Sequence, residues 1–267
     1  MTRLEDTFAR LRDERRTGFV AFLTTGYPTI EETPALVSAL IEGGADVIEL
    51  GIPFSDPLAE GPTIQRSSYR ALQNGVTPRA CLVTVALLRD DGVQAPLVLM
   101  GYYNPILSYG LEEFTRDAAA AGADGIIPVD LPPEESHPLH DACAEAGLHL
   151  IYLLAPTSTD DRIELVASLA SGFVYCVSVT GVTGARDRLS EGLTGFIKRV
   201  RARTPLPVSV GFGISNAKHF QAVGRIADAA VVGSAIIDEI DKCDPSRRAE
   251  CVKSYAEVLT GRRRAAV

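Results

Sequence analysis

Residues 46 to 63, DVIELGIPFSDPLAEGPT, bring several carboxylates into one apolar, proline-rich stretch. Asp46 to Leu50 reads as a short strand with Val47 and Glu49 on one face and Ile48 and Leu50 on the other. Glu49 is then a carboxylate at the carboxyl end of an otherwise apolar strand. Burying such a group is costly unless it is paired or hydrogen-bonded, so its position needs a reason. After Gly51 the chain enters a loop with Pro53, Pro57 and Pro62 and two further acids, Asp56 and Glu60. Proline-punctuated loops after buried strands hold side chains in fixed places, which suits proton chemistry. For Glu49 the alternatives are a bond to neighbouring backbone or a role at a strand-end mouth, and the second is preferred. For Asp56 the Ser-Asp-Pro sequence is also an ordinary turn.

A second group of residues could hold a phosphate. Val210-Gly211-Phe212-Gly213-Ile214-Ser215 and Val232-Gly233-Ser234-Ala235 each join a β-branched run to a helical pattern. Glycines let the backbone N–H groups approach an anion at a helix start, and the Ser234 hydroxyl can add a donor. Gly184 could close a third side. One Gly-Phe-Gly is also an ordinary helix-start turn; two such loops at adjacent strand ends carry more weight.

These loops need a scaffold. Strands are expected at Gly18–Thr24, Asp46–Leu50, Pro96–Gly101, Gly125–Val129, Leu148–Leu154, Phe173–Val179, Leu206–Gly211 and Ala227–Val232. Between them lie helical patterns at Pro34–Glu42, Thr63–Asn74 with Pro78–Arg89, Leu111–Ala121, Pro133–Ala146, Asp160–Ala170, Gly192–Arg203 and Ser215–Val223, with a C-terminal run after Gly233. Glycine just past a helix followed by a short apolar run is a helix-to-strand connection. Near-continuous apolar strands belong in a parallel sheet covered by helices. The expected fold is α/β, a single (β/α)8 TIM barrel spanning residues 1–267 as one domain. It has an extra N-terminal helix, where Leu4, Phe8 and Leu11 share a face, and long loops after the second and sixth strands, the latter at 180–191.

Composition narrows the function. A formal charge of −8 argues against nucleic acid and anionic membranes. The charged start has no secretory h-region, and no stretch approaches a membrane span. Five scattered cysteines without Cys-x-x-Cys fit reduced thiols in a cytoplasmic protein. No metal-ligand spacing stands out; His137 and His140 read as a solvated helix start. Without a Ser-His-Asp set or a strand-borne Schiff-base lysine, what remains is proton chemistry by carboxylates on a small phosphorylated substrate.

Several stretches, in order, then carry a resemblance: AFLTTGYP (21–28), IELGIPFSDPLAEGPTIQ (48–65), MGYYNPI (100–106), IIPVDLPPEES (126–136), VSVTGVTGAR (177–186), VGFGIS (210–215) and VVGSAI (231–236). The chain resembles the tryptophan synthase alpha-subunit family over essentially its whole length. The resemblance implies a carbon–carbon lyase of tryptophan biosynthesis that cleaves indole-3-glycerol phosphate to indole and glyceraldehyde 3-phosphate without a cofactor of its own. It makes Glu49 the main acid/base. The family's second carboxylate, an Asp facing the indole N–H, falls on Glu60, which keeps the charge on a longer arm. Tyr175 matches the tyrosine at the reacting end, with an inward-packed core tyrosine as the alternative. Phe22, Tyr102, Ile127 and Phe212 match positions lining the indole pocket, and Asp130 one that orders loop contacts. Position 179 is Val where some members carry Arg. The implied partner is a beta subunit carrying pyridoxal phosphate, in an alpha2beta2 tetramer, met through Pro53, Asp56, Pro57, Asn104 and Pro132. The alternatives are a stand-alone lyase releasing free indole, and a regulatory scaffold with weakened catalysis.

Overall fold

The computed structural model describes residues 1–178, 191–211 and 213–263. A first helix, α1 (Arg3–Asp13), precedes β1 (Gly18–Thr24), α2 (Thr33–Gly43), β2 (Val47–Gly51), α3 (Pro62–Gln73) and α4 (Pro78–Asp90). Then come β3 (Leu97–Gly101), α5 (Tyr103–Tyr109), α6 (Leu111–Ala121), β4 (Gly125–Pro128), α7 (His137–Ala146), β5 (His149–Leu150), β6 (Leu153–Leu154) and α8 (Asp160–Leu169). The described chain ends with β7 (Val174–Val177), α9 (Glu191–Arg201), β8 (Val208–Gly211), α10 (Ala217–Gly224), β9 (Ala229–Val232), α11 (Ser234–Lys242) and α12 (Arg248–Thr260).

All strand pairings are parallel, in the order β5-β4-β3-β2-β1-β9-β8-β7-β6. The two ends of that order are halves of one expected strand, 148–154. Only Ile151 and Tyr152 separate them, and both keep ladder bonds: Ile151 N–H donates to Ile126 O at 2.9 Å, and Tyr175 N–H to Tyr152 O at 3.0 Å. The sheet therefore closes on itself, a (β/α)8 barrel whose fifth strand changes partner halfway.

Strand alternation divides the core into two shells. Val20, Val47, Val98, Ile127, Ile151, Phe173, Tyr175, Ala229 and Val231 form the inner cluster, together with Leu4, Phe8 and Leu11 of α1, which plugs the barrel's lower end. Ile48, Leu50, Leu97, Leu99, Val174 and Val210 lie in the outer shell against the helices. Glu49, between Ile48 and Leu50, faces inward with Val47.

The lower rim is braced by a repeated device. Asp46, Asp124 and Asp228 each precede a strand, and each bonds twice to one residue of the neighbouring strand. The amide of each Asp donates to the carbonyl of Phe19, Leu97 or Val208, respectively, and its carboxylate accepts that same residue's N–H at 3.0, 2.8 and 2.8 Å. Arginines complete each brace: Arg16 forks onto Asp46 at 2.7 and 2.8 Å, Arg89 reaches Asp124 at 2.7 Å and Arg201 reaches Asp228 at 2.9 Å. Arg10 and Arg3 of α1 join the first two at 3.2 Å. At two of these joints a left-handed glycine, Gly44 or Gly122, ends the preceding helix.

Some expectations need correction. The expected helices leave out MGYYNPI, yet Tyr103–Tyr109 forms α5; Pro105 falls in its first turn, where the missing N–H costs nothing. The expected helix from Pro133 begins as a 3-10 turn, Pro133–Glu135, before α7. Cys243 and Cys251 are not reduced thiols but a disulfide across the turn joining α11 to α12, while Cys81, Cys143 and Cys176 are free and buried. Among the described residues no helix is long and apolar enough to cross a membrane.

Candidate active site

Glu49 lies two residues before the end of β2 and is fully buried. Neither carboxylate oxygen has a hydrogen-bond partner among the described residues. Burial, and secondly the negative charge of Glu60, push its pKa up to about 8. Glu49 is thus predominantly protonated at neutral pH, and within reach of ionisation.

The sheet brings its partners to it. Phe22 on β1 pairs in register with Glu49, and its ring crosses Gly51 at the end of β2 and Gly233 just after β9. A Cβ at Gly51 would lie 2.6 Å from the Phe22 ring, and one at Gly233 3.1 Å from it. Tyr175 is buried on β7, and its hydroxyl sits over Gly211, where a Cβ would collide with it. Burial, then the charges of Glu49 and Glu60, raise the Tyr175 pKa well above the usual phenol value, so it is a neutral hydroxyl there. Ile127 is fully buried in the inner cluster below.

Glu60 reaches the mouth from the loop 52–61, and burial raises its pKa as well. Several tethers hold that loop. The Ser68 hydroxyl accepts the Phe54 N–H and donates to the Phe54 carbonyl, both at 2.9 Å. Gln65 donates to the Glu60 carbonyl at 2.9 Å, and the Tyr102 hydroxyl accepts the Ala59 N–H at 2.8 Å. Tyr102 also packs its ring on Phe54, centroids 5.1 Å apart. Phe22, Glu60, Tyr102, Met100 and Val129 line a cavity of about 30 Å3, room for about one water and too small for an indole ring in this conformation. Met100 and Val129 are lining residues beyond those expected from the sequence, and Met100 shares the inward face of its strand with Val98. Asp130 accepts the Tyr103 N–H at 2.7 Å and so caps α5.

The two glycine loops differ. Asn216 caps α10, accepting the His219 N–H at 3.0 Å. The N-terminus of α11 begins at Gly233 with no side-chain cap, leaving backbone N–H groups beside Ser234 for an anion. Gly213 is exposed at φ 72°, a conformation L side chains avoid. Gly184, Phe212, Val179 and most of the expected loop 180–191 lie outside the described residues. Of the expected partner residues, Asp56, Asn104 and Pro132 are exposed, Pro57 is half-buried and Pro53 is buried. Two large apolar side chains on the same elements went unforeseen: Leu58 is 81% exposed and Leu107, on α5, 50%. Among the described residues no cluster of His, Cys, Asp and Glu could hold a metal.

Known proteins share this sequence and geometry. A family model described as tryptophan synthase alpha chain matches residues 8–266. The tryptophan synthase alpha chain of Roseiflexus castenholzii is 54% identical over 261 residues, covering 98% of this chain and all of that one. That of Chloroflexus aggregans is 51% identical, covering 97% of each. The crystal structure of tryptophan synthase subunit alpha from Legionella pneumophila superposes with a TM-score of 0.91 at 36% identity, covering 98% of both chains. With agreement over full length in both sequence and barrel, the chain belongs to the tryptophan synthase alpha chain family.

Proposed function

We propose that Glu49, Glu60 and Tyr175 carry the family's reaction in this chain. Alpha chains of this family are carbon–carbon lyases of tryptophan biosynthesis that cleave indole-3-glycerol phosphate to indole and glyceraldehyde 3-phosphate, and they need no cofactor of their own. The observation that carries the assignment is a fully buried carboxyl near a strand end, with both oxygens unpartnered among the described residues and its pKa near 8. A protonated Glu49 gives its proton to C3 of the indole, making the indolenine. The resulting carboxylate takes the proton of the glyceryl hydroxyl as the carbon–carbon bond breaks, and Glu49 is restored. Glu60, as carboxylate, accepts the indole N–H and stabilises the positive charge that appears on that nitrogen. The neutral Tyr175 hydroxyl orients the glyceryl end.

In this reading Phe22, Tyr102, Ile127 and Phe212 line the slot for the ring, with Met100 and Val129 beside them. The amides from Gly233 to Ala235, the Ser234 hydroxyl, and the backbone of Gly211, Gly213 and Gly184 hold the phosphate. Residues 1–267 work as one domain. The family partners with a beta subunit; for this chain we assign that contact to Asp56, Pro57, Asn104 and Pro132 with Leu58 and Leu107, Pro53 shaping the loop from beneath. Pyridoxal phosphate then resides on the beta subunit, in a cytoplasmic alpha2beta2 tetramer. A stand-alone lyase finds less support, because the relatives over the full length are alpha chains.

Indole release from indole-3-glycerol phosphate, measured with and without a tryptophan synthase beta subunit, tests the assignment. Slow turnover that beta accelerates and Glu49→Gln abolishes is the expected result. Fast turnover indifferent to beta would move the assignment to a stand-alone lyase. Absence of turnover, restored by Glu60→Asp, would make the chain a scaffold.

A further inference from the structure

A large cleft lies at the other end of the barrel from Glu49. It opens between the end of α1, the second half of α9 and the segments entering β8 and β9, with a volume of about 1180 Å3. Six cations line it: Arg12, Arg15, Arg16, Lys198, Arg201 and Arg225. Only two carboxylates do, and both are engaged. Glu5 accepts the Thr2 N–H in the capping box of α1, and Asp228 holds Arg201 and the Val208 amide. Arg16 is likewise taken by Asp46 and Glu14. Arg12, Arg15, Lys198 and Arg225 remain exposed, with no carboxylate at ion-pair distance among the described residues.

Helix dipoles account for part of this concentration: Arg12 and Lys198 lie in the last turns of α1 and α9, and Arg225 is the C-cap of α10, whereas Arg15 lies beyond the end of α1. Lys and Arg favour helix C-termini, and the barrel helices end on this face. Yet α2, α6, α7 and α8 end there with no basic residue in the last turn, so the cations gather around this one concavity. The chain as a whole carries 34 acids against 26 bases, so four unpaired cations around one concavity run against its own balance. Arg15 adds a separate sign: it is the one described non-glycine residue with positive φ, at 51°. That place after a helix ordinarily belongs to glycine or asparagine.

We propose that this cleft binds a small polyanion, a molecule carrying two or more phosphate or carboxylate groups. Arg12 and Arg15 would meet it from one wall, and Lys198 and Arg225 from the other, with Pro205, Leu206 and Ile226 offering an apolar surface to an organic body. The volume suits a nucleotide-sized ligand. The acidic remainder of the surface lacks the extended basic track that a nucleic acid requires.

Calorimetric titration of the whole chain with inorganic triphosphate tests the proposal, with ATP as a second arm for the organic body. Single-site binding is expected, weakened about ten-fold for each charge reversed and thus about 100-fold in Arg12→Glu/Arg225→Glu. Both arginines are exposed and unpaired, so an unchanged urea midpoint verifies that the variant is folded. Ser234→Asp, which places a carboxylate at the opposite, substrate end, should leave triphosphate binding intact. No binding, binding unchanged in the double variant, or loss only in Ser234→Asp would each overturn the proposal.

Discussion

Glu49 combines two properties that ordinarily conflict, because a group that stabilises the fold is seldom left without a hydrogen-bond partner in the core. Its folded pKa of about 8 lies above the unfolded value near 4.5. The folded state therefore holds the proton more tightly, so stability is greatest below pH 4.5 and is lost as the pH rises towards 8. Glu49→Gln removes that penalty along with the proton assigned above to the reaction. Urea unfolding should find the variant roughly 4 kcal/mol more stable than the parent at pH 8, and nearly equal to it at pH 4.5. Its indole release should fall by about a thousand-fold. The parent's rate should be bell-shaped in pH, rising as Glu60 ionises above the usual carboxylate range and falling as Glu49 ionises near 8. Tyr102 acts one step away: its hydroxyl fixes the Ala59 amide next to Glu60. Tyr102→Phe keeps the ring against Phe54 and removes only that acceptor. Steady-state kinetics should show kcat down by about five-fold, a loss of roughly 1 kcal/mol, with KM nearly unchanged.

At the scale of elements, the three aspartate braces explain why a short N-terminal helix belongs to the barrel at all. Arg3 and Arg10 on α1 reach Asp124 and Asp46 while Leu4, Phe8 and Leu11 fill the lower mouth. Asp46→Ala would leave Arg16 without its buried partner and the Phe19 amide with no side-chain acceptor. Chemical denaturation should report a loss of about 3–5 kcal/mol, well above the value for an exposed ion pair such as Lys253–Glu42. Much of this framework was legible in the residues. The apolar runs placed every strand within a few residues, and the alternation of Val47, Ile48, Glu49 and Leu50 put the acid inside. What escaped depends on contacts between distant segments. The sequence Gly-Ala-Asp marks a helix-to-strand joint, but nothing local says that its carboxylate will grip the next strand over. The partner change at Ile151–Tyr152 is set by β4 and β7, not by the strand's own residues. The Cys243–Cys251 bridge depends on a turn that brings α12 back along α11, which the cysteine spacing does not reveal.

For the whole molecule, the proposed chemistry and the proposed partner contact share one end of the barrel. The loop that carries Glu60 also carries Asp56, Pro57 and Leu58, and it rests on Tyr102 at the start of α5, which bears Asn104 and Leu107. A partner that covers Leu58 and Leu107 would therefore press on the segment that positions Glu60, and its state could reach the carboxylate without touching it. Leaving two large apolar side chains in water is unfavourable for the free chain, and covering them would contribute about 1.5–3 kcal/mol each. Leu58→Asp/Leu107→Asp should accordingly weaken binding of a beta subunit by about 100-fold or more in a sedimentation or calorimetric titration. The basal rate of indole release without beta should stay within about two-fold of the parent, since neither side chain lines the slot beneath Glu60. At saturating beta the acceleration should return, because the variant removes affinity and leaves the tethers of Ser68, Gln65 and Tyr102 in place. Acceleration lost even at saturation would instead mean that Leu58 itself transmits the closure. Unchanged beta affinity would place the contact elsewhere on the barrel.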